Sequence, residues 1–439
     1  MMDIKFIREN PGIVRADLEK RKDSEKLEWL DDILAKDKKH RALLQESQEL
    51  RRKRNEISEK INSAKKAGQD ASSFIGEAKN IPKRLVEIEG EQNAIQKEIH
   101  DKLMRMPNIL HESVPEGASA EDNVEVEKIN RKPEFKFAPR DHGALLEMHG
   151  FADLDRAAKI SGARFYFLKG ALAEMELALQ KYAVDFMSKR GFTLVYPPFM
   201  MNRGAYEGVT DLADFESVMY NVQPDNFYLI ATSEHPLTAM YMNEILDEEK
   251  LPIRMIGISA CFRREVGAHG KSDKGIWRVH QFNKIEQIII CRPEDSWKHH
   301  EELLKNAKDF FKSLGLHFRV VSICTGDIGI VAAKKYDLEV WIPSLNEYKE
   351  VVSCSNCTAY QATRLNMRYR AGKGNIMVHT LNSTCVATSR ALVAILENFQ
   401  NNDGSITIPK VLREYMGGRK VMGKAERAKA EKKVRKAKK

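Results

Sequence analysis

Residues 25 to 106 constrain the fold most, because charged residues dominate them while their apolar residues recur at helical intervals. In the second half, Ile81, Leu85, Ile88, Gln92, Ile95, Ile99, Lys102 and Met106 fall at alternating spacings of 4 and 3. In the first half, Leu43, Leu50, Ile57, Ile61 and Ala64 follow a similar seam, interrupted by Ser47 and Arg54. Between them lies the turn-rich segment Ala67 to Ser73, AGQDASS. Two helices joined by such a break fold back as an antiparallel coiled coil. The seams are narrow and the flanks charged, which fits an arm in water with too little core for catalysis. On composition alone, a dimerisation coiled coil is the simplest use for it.

The rest of the 439 residues is long enough for one or two further domains with a substantial core. No apolar run reaches 18 residues, so no membrane helix is expected. The start, MMDIKFIRENPG, has neither a secretory apolar stretch nor the acid-poor composition of a transit peptide, so a cytoplasmic location is expected. Six cysteines in so long a chain are not a disulfide framework, and the lone pair Cys354 and Cys357 lacks two further zinc ligands at a persuasive spacing. Free buried thiols are expected.

The net charge of +9 resides in residues 417–439, which hold eleven Lys or Arg and two Glu; the remainder balances to neutral. That segment is expected to be a disordered or transiently helical tail. It serves either salt-sensitive attraction to phosphates or solubility alone.

The segment Cys261 to Glu286, CFRREVGAHGKSDKGIWRVHQFNKIE, predicts two strands joined by a loop with Gly267, Gly270 and Gly275. Alternation places Arg263 and Glu265 on one face of the first strand. Arg278, Phe282 and Glu286 share a face of the second, with Trp277, Val279, Ile285 and Ile289 opposite. Pairing Arg263 near Arg278 would set two guanidinium groups side by side, unfavourable unless a polyanion lies between them. With Phe282 as a stacking plane, this face suits a nucleoside triphosphate. A surface hairpin with solvated charges is the plainer alternative. No G-x-x-x-x-G-K-[ST] and no dinucleotide fingerprint is present, so the phosphates must be held in another way.

This hairpin resembles motif 2 of class II aminoacyl-tRNA synthetases, and of seryl-tRNA synthetases in particular. Ala231-Thr232-Ser233-Glu234 resembles their serine loop, and Glu350 to Asn356 (EVVSCSN) their metal and ATP strand. Leu381 to Thr384 with Ala387 to Asn398 resembles motif 3. Gly162 to Gly170 with Tyr196-Pro197-Pro198 resembles the dimerising region of motif 1. The likeness covers residues 1–416 and is nearer the archaeal and eukaryotic wording. It implies an α+β fold, a class II antiparallel sheet flanked by helices and preceded by the coiled-coil arm. The implied domains are a tRNA-binding arm over 1–110, a linker over 111–140, a catalytic domain over 141–416 and the tail over 417–439.

The implied activity is serine–tRNA ligation. L-Serine and ATP, with Mg²⁺, give seryl-adenylate and pyrophosphate, and the seryl group then passes to tRNA(Ser), and to tRNA(Sec) where the host has it. A homodimer is implied. By resemblance, Arg263 meets the α-phosphate and the serine carboxylate, Glu265 accepts from the adenine amino group, Phe282 stacks beneath the ring, and Arg278 and Arg390 hold the γ-phosphate. Arg264, Val279, His280, Gln281, Val351 and Val352 are further ATP contacts. Glu350 and Ser353 are the Mg²⁺ positions; their parity differs, so a bulge or strand end must separate them. Thr232, Ser233, Glu234, Glu286, Asn382 and Thr384 surround the amino acid. Thr232 to Glu234 also reads as a helix cap, since Pro236 follows. His269 and Lys271 could touch the tRNA end or be plain loop residues. The alternative is a catalytically inactive, RNA-binding paralogue, against which the presence of Arg263, Glu265, Phe282, Glu286, Glu350 and Arg390 weighs.

Overall fold

The structure is a computed structural model that describes residues 1–211, 216–265, 275–372 and 374–423. The chain divides into two units, Met1–Ile109 and Leu110–Lys439.

In the first unit, α1 (Ile4–Glu9), α2 (Pro11–Lys20) and α3 (Ser24–Lys66) are followed by α4 (Ser72–Ala78) and α5 (Ile81–Leu103). Asp23 starts α3 by accepting from the Lys26 amide, and Pro sits in the first turn of α2 and α5. The seam of α3 and α5 buries Leu43, Ile88, Ile95, Ile99 and Leu103, and α1 and α2 add Ile7, Val14 and Leu18 against Leu30 and Ile33. Two details differ from the sequence pattern. Ser47 is buried and continues the seam, a small residue that close helix packing accommodates. Leu103, not Lys102, takes the seam position before the buried Met106, and the Lys102 ammonium reaches Asp32 at 2.5 Å. The ion pair Arg84–Glu46, at 2.8 Å, joins α5 to α3 with both side chains about 40% exposed. Water screens such an exposed pair, so it adds little to stability. Each buried seam isoleucine contributes about 1.5–3 kcal/mol, so apolar burial dominates.

The second unit is built on an eight-stranded sheet. Its strands are β1 (Val124–Ile129), β2 (Thr193–Val195), β3 (Ile253–Phe262), β4 (Gln281–Cys291), β5 (Phe318–Ser322), β6 (Lys334–Ile342), β7 (Glu347–Asn356) and β8 (His379–Ala387). Their order across the sheet is β1-β5-β6-β7-β8-β4-β3-β2, antiparallel throughout except for the parallel pair β2–β3. Both faces are covered. Ile285 and Ile289 of β4 join a large core with Leu179 and Met187 of α6 (Ala171–Ser188), Phe310 and Phe311 of α8 (Ser296–Leu314), and Leu392 and Ile395 of α9 (Thr388–Asn398). The alternate residues Ile288 and Ile290 face a second core with Tyr206, Tyr228, Met255 and Leu365. Leu237, in the same core, belongs to α7 (Glu234–Ala239). Two-sided burial explains why β4 carries three consecutive isoleucines instead of strict alternation.

Two segment boundaries move. Residues 111–140, expected as linker, supply the edge strand β1, while Val114 packs with Val321 and Ile323. The segment from Gly417, expected as basic tail, is folded as far as Met422. Val421 and Met422 are apolar and pair with Thr407 and Ile406, with Met422 fully buried, and Arg419 meets Glu174 at 2.8 Å. Residues 424–439 lie outside the described residues, as do Gly267, His269, Gly270 and Lys271. Among the described residues no helix is long and apolar enough to cross a membrane.

Candidate active site

A cavity of about 440 Å³ opens over the centre of the sheet. Strands β4, β7 and β8 floor it with Phe282, Lys284, Glu286, Glu350, Ser353, Asn382 and Thr384, and α7 and α9 wall it with Glu234 and Arg390. Thr232, Arg263 and Val351 also line it.

On β4, alternation brings Phe282, Lys284 and Glu286 to one face. The Lys284 ammonium lies 2.6 Å from Glu286 Oε2, and both side chains are almost completely buried. The Thr384 hydroxyl donates to the same oxygen at 3.3 Å. Glu234 accepts through Oε1 from Asn382 at 3.0 Å and from Gln361 at 3.2 Å. Burial, then the nearby Glu286, push the Glu234 carboxyl up to about 7. Local structure explains this loop. Thr232 Oγ1 accepts from the Glu234 amide at 3.1 Å, so the capping contact comes from Thr232, whereas Ser233 at the helix boundary makes no side-chain cap. Ser233 instead donates to the Gly257 carbonyl at 3.3 Å. A Cβ at Gly257 would meet Ser233 Oγ at 2.7 Å, so glycine there lets the loop lie on β3.

Arg263 follows β3. Its Nε donates to the Ala231 carbonyl at 3.3 Å, and its guanidinium carbon lies 5.4 Å from the Phe282 ring centre. Arg390 donates to the Glu350 carbonyl at 2.9 Å and lies 5.6 Å from the Trp277 ring centre. Beside it, Ala391 and Ala394 are fully buried, so the helix packs closely and directs the guanidinium at the cavity. Partial desolvation opposes ionisation of Glu350, but Arg390, Lys335 and Arg263 outweigh it and hold the carboxyl below its ordinary range.

The parity conflict between Glu350 and Ser353 is resolved by a bulge. Leu338 pairs with Val352 and Glu339 with Glu350, leaving Val351 as the extra residue. Both oxygen-bearing side chains thereby reach the cavity.

One expectation fails. Arg263 does not stand beside Arg278. Strand pairing ends at Phe262–Gln281, and the Arg263 amide donates to the His280 carbonyl at 2.9 Å, so His280 is the neighbour. Arg278 lies 3.7 Å from Glu265, which has turned into the left-handed region at φ +45°. Opposite charges meet there instead of like ones, the lower-energy pairing when no anion intervenes. Arg278, Trp277 and Val279 precede the strand, so their assumed strand faces do not apply, although Trp277 and Val279 do join the core.

Several expected ATP contacts stand at the rim or beneath the floor. His280 Nδ1 is 2.8 Å from the Arg263 carbonyl and 2.9 Å from the Tyr220 hydroxyl, so the ring braces the hairpin base. Arg264, Glu265, Gln281 and Val352 do not line the cavity. Gly275, where the hairpin returns, has φ +90°, and a Cβ there would collide with His142 Nε2.

Sequence reading passed over Lys284, Lys335 and Gln361, and the segment Ile328 to Ala332 that forms one wall. Lys284 shares parity with Phe282 and Glu286, which puts it on their face but does not mark it as buried. All six cysteines are buried and free, and burial pushes Cys291 up to about 12. Among the described residues no three His, Cys, Asp or Glu side chains could hold a metal ion.

An antiparallel sheet carrying arginines from a hairpin and a closing helix defines a class II aminoacyl-tRNA synthetase core, and residues 219–399 match the tRNA synthetase class II core domain (G, H, P, S and T). Residues 1–110 match the seryl-tRNA synthetase N-terminal domain. The chain is 59% identical to the serine–tRNA ligase of Methanocella arvoryzae over 95% of its own length and 99% of the relative's. It matches the seryl-tRNA synthetase of Pyrococcus horikoshii complexed with ATP at TM-score 0.92 and 46% identity, covering 96% and 99% of the two chains. The cytoplasmic serine–tRNA ligase of Naegleria fowleri in complex with AMP matches at TM-score 0.88 and 35% identity, covering 96% and 99%. The chain belongs to the serine–tRNA ligase family and is an enzyme of that class.

Proposed function

We propose that the cavity activates L-serine with ATP and passes the seryl group to tRNA(Ser), and to tRNA(Sec) where one exists. The observation that carries this reading is the joint presence of an anion-binding half and a cation-binding half in one cavity. Arg263 and Arg390 form the first, and Glu234 and Glu286 the second. The serine carboxylate attacks the α-phosphorus, pyrophosphate leaves, and charge gathers on phosphate oxygens that Arg263 meets. Phe282 stacks on the adenine, and Arg390 holds the γ-phosphate side. No protein nucleophile is required; position and cationic stabilisation supply the acceleration.

Mg²⁺ would be held by Glu350 and Ser353. Their donors are a carboxylate kept ionised and a hydroxyl, hard oxygens that suit this cation when phosphates and water complete its shell. When bound it neutralises phosphate charge. Arg390 fixes the Glu350 backbone and faces its carboxylate at 3.5 Å.

At the other end, Glu234 and Glu286 receive the ammonium and hydroxyl, with Thr384 and Asn382 setting the carboxylates. A site built to hydrogen-bond a hydroxyl rejects alanine, because its acceptors would be left unpaired. The charged helices α3 and α5 would grip tRNA by shape and backbone. Residues 111–140 and 141–416 would together form the catalytic part, with the basic end of the chain as an auxiliary phosphate contact. A homodimer in the cytoplasm is proposed: Ile160, Phe167, Leu177, Leu194 and Tyr196, around the motif 1 region, are exposed apolar residues that a second copy would cover. Arg263→Ala should abolish serine-dependent ATP–pyrophosphate exchange while leaving the circular dichroism spectrum unchanged. Undiminished exchange would refute the role given to Arg263.

A further inference from the structure

The two carboxylates at the amino-acid end of the cavity, Glu286 and Glu234, are each anchored through one oxygen only. Glu286 Oε2 takes Lys284 and Thr384, and Glu234 Oε1 takes Asn382 and Gln361. No hydrogen bond to Glu286 Oε1 or Glu234 Oε2 is formed among the described residues, and both residues line the cavity. Lys284 is the cation that makes this arrangement tenable. A buried lysine is costly to desolvate unless paired, and its only ion-pair partner among the described residues is Glu286.

We propose that Lys284 is a positioning residue for amino-acid selection, which holds Glu286 with Oε2 committed so that Oε1 alone accepts from the substrate hydroxyl. This deepens the serine reading and rests on it. In that arrangement Lys284 touches no phosphate, and its removal acts on one substrate only. Without it, Glu286 and Glu234 face each other with Arg263 as the remaining cation acting on Glu234, whose carboxyl is then pushed further up.

The charged and titratable groups around the pair come from every neighbouring element. Glu286 lies on the same strand, Glu234 and His235 on α7, Arg263 and Cys261 at the end of β3, Cys354 on β7, Cys357 just after it, and Cys385 on β8. His235 is pushed down to about 3 by burial, then Lys284 and Arg263, and stays neutral. Burial pushes all four thiols up. The acidic limb of serine binding therefore reports Glu234, which Lys284 pulls down.

The test is pyrophosphate exchange by the full-length chain with the Lys284→Met, Lys284→Arg, Glu286→Gln and Lys284→Met/Glu286→Gln variants, across pH 5.5 to 9. Lys284→Met should raise the serine KM about tenfold or more and leave the ATP KM unchanged. It should also lower serine-over-alanine discrimination and move the acidic limb of the serine KM up by about half a pH unit or more. Lys284→Arg, which keeps the charge, should hold the limb in place, and this comparison decides the matter if the methionine variant does not fold. The double variant should be no worse than Glu286→Gln alone. Equal changes in both KM values, an unmoved limb, or additive losses in the double variant would overturn the assignment. Absence of serine-dependent exchange in the unsubstituted enzyme would instead defeat the serine reading itself.

Discussion

Arg390 and Glu350 are joined twice: the guanidinium donates to the Glu350 carbonyl at 2.9 Å and stands 3.5 Å from its carboxylate. The link ties the closing helix α9 to the bulged strand β7, so the cation proposed for the γ-phosphate and the carboxylate proposed for the metal are positioned together.

Glu350→Gln keeps the shape but removes the charge that a divalent cation requires. Its Mg²⁺ requirement, read as the concentration giving half-maximal exchange, should rise about tenfold or more. The carbonyl contact from Arg390 does not depend on the carboxylate, so the melting temperature should change little. An unchanged Mg²⁺ requirement would remove Glu350 from the metal site.

Glu234 gives the site its pH dependence. Its carboxyl, pushed up to about 7 by burial and then by Glu286, must be ionised to receive an ammonium. The serine KM should therefore rise as pH falls through about 7, while the ATP KM does not follow. The sign for stability is opposite. A carboxyl whose folded pKa lies above its unfolded value favours the fold when protonated, and that contribution is lost as pH rises through about 7. Glu234→Gln should accordingly flatten the fall of melting temperature between about pH 4.5 and 7 in the protein without substrates.

Gly257→Ala tests the contact that seats the serine loop. The added carbon would press on Ser233 Oγ and Cβ at 2.7 and 2.8 Å, and displace Thr232 and Glu234 with them. Serine KM should rise and stability fall by about 1–3 kcal/mol, read by urea unfolding. Wild-type serine KM in this variant would show that the loop is not seated by that contact.

Removing residues 1–109, the whole first unit, should spare adenylate formation and cripple tRNA charging. The cut is placed there because α1 and α2 share a core with α3, so a deletion confined to the two long helices would expose Val14 and Leu18. Equal loss of exchange and charging would argue against a separate tRNA arm.

Periodicity made the arm legible. Ile88, Ile95 and Ile99 follow one stripe, and the glycine of AGQDASS marks the reversal. Parity on one strand likewise foretold that Phe282 and Glu286 share a face, and the different parity of Glu350 and Ser353 foretold the bulge at Val351. Three features were not legible, for related reasons. Arg278 was placed by counting strand residues past the point where pairing stops, and neither the end of a ladder nor the left-handed turn of Glu265 is marked by residue type. Lys284 reads like any solvated lysine until the fold shows it buried against Glu286. Ile328 to Ala332, a wall of the cavity, carry no chemistry of their own and enter the site only because the chain passes there.

The central claim is that one cavity joins a triphosphate to a small hydroxylated amino acid. It is tested most directly by ATP–pyrophosphate exchange measured with each of the twenty amino acids in turn. Serine alone should support rapid exchange, with alanine and threonine weaker by about a hundredfold or more. Exchange driven equally well by another amino acid, or by none, would contradict it.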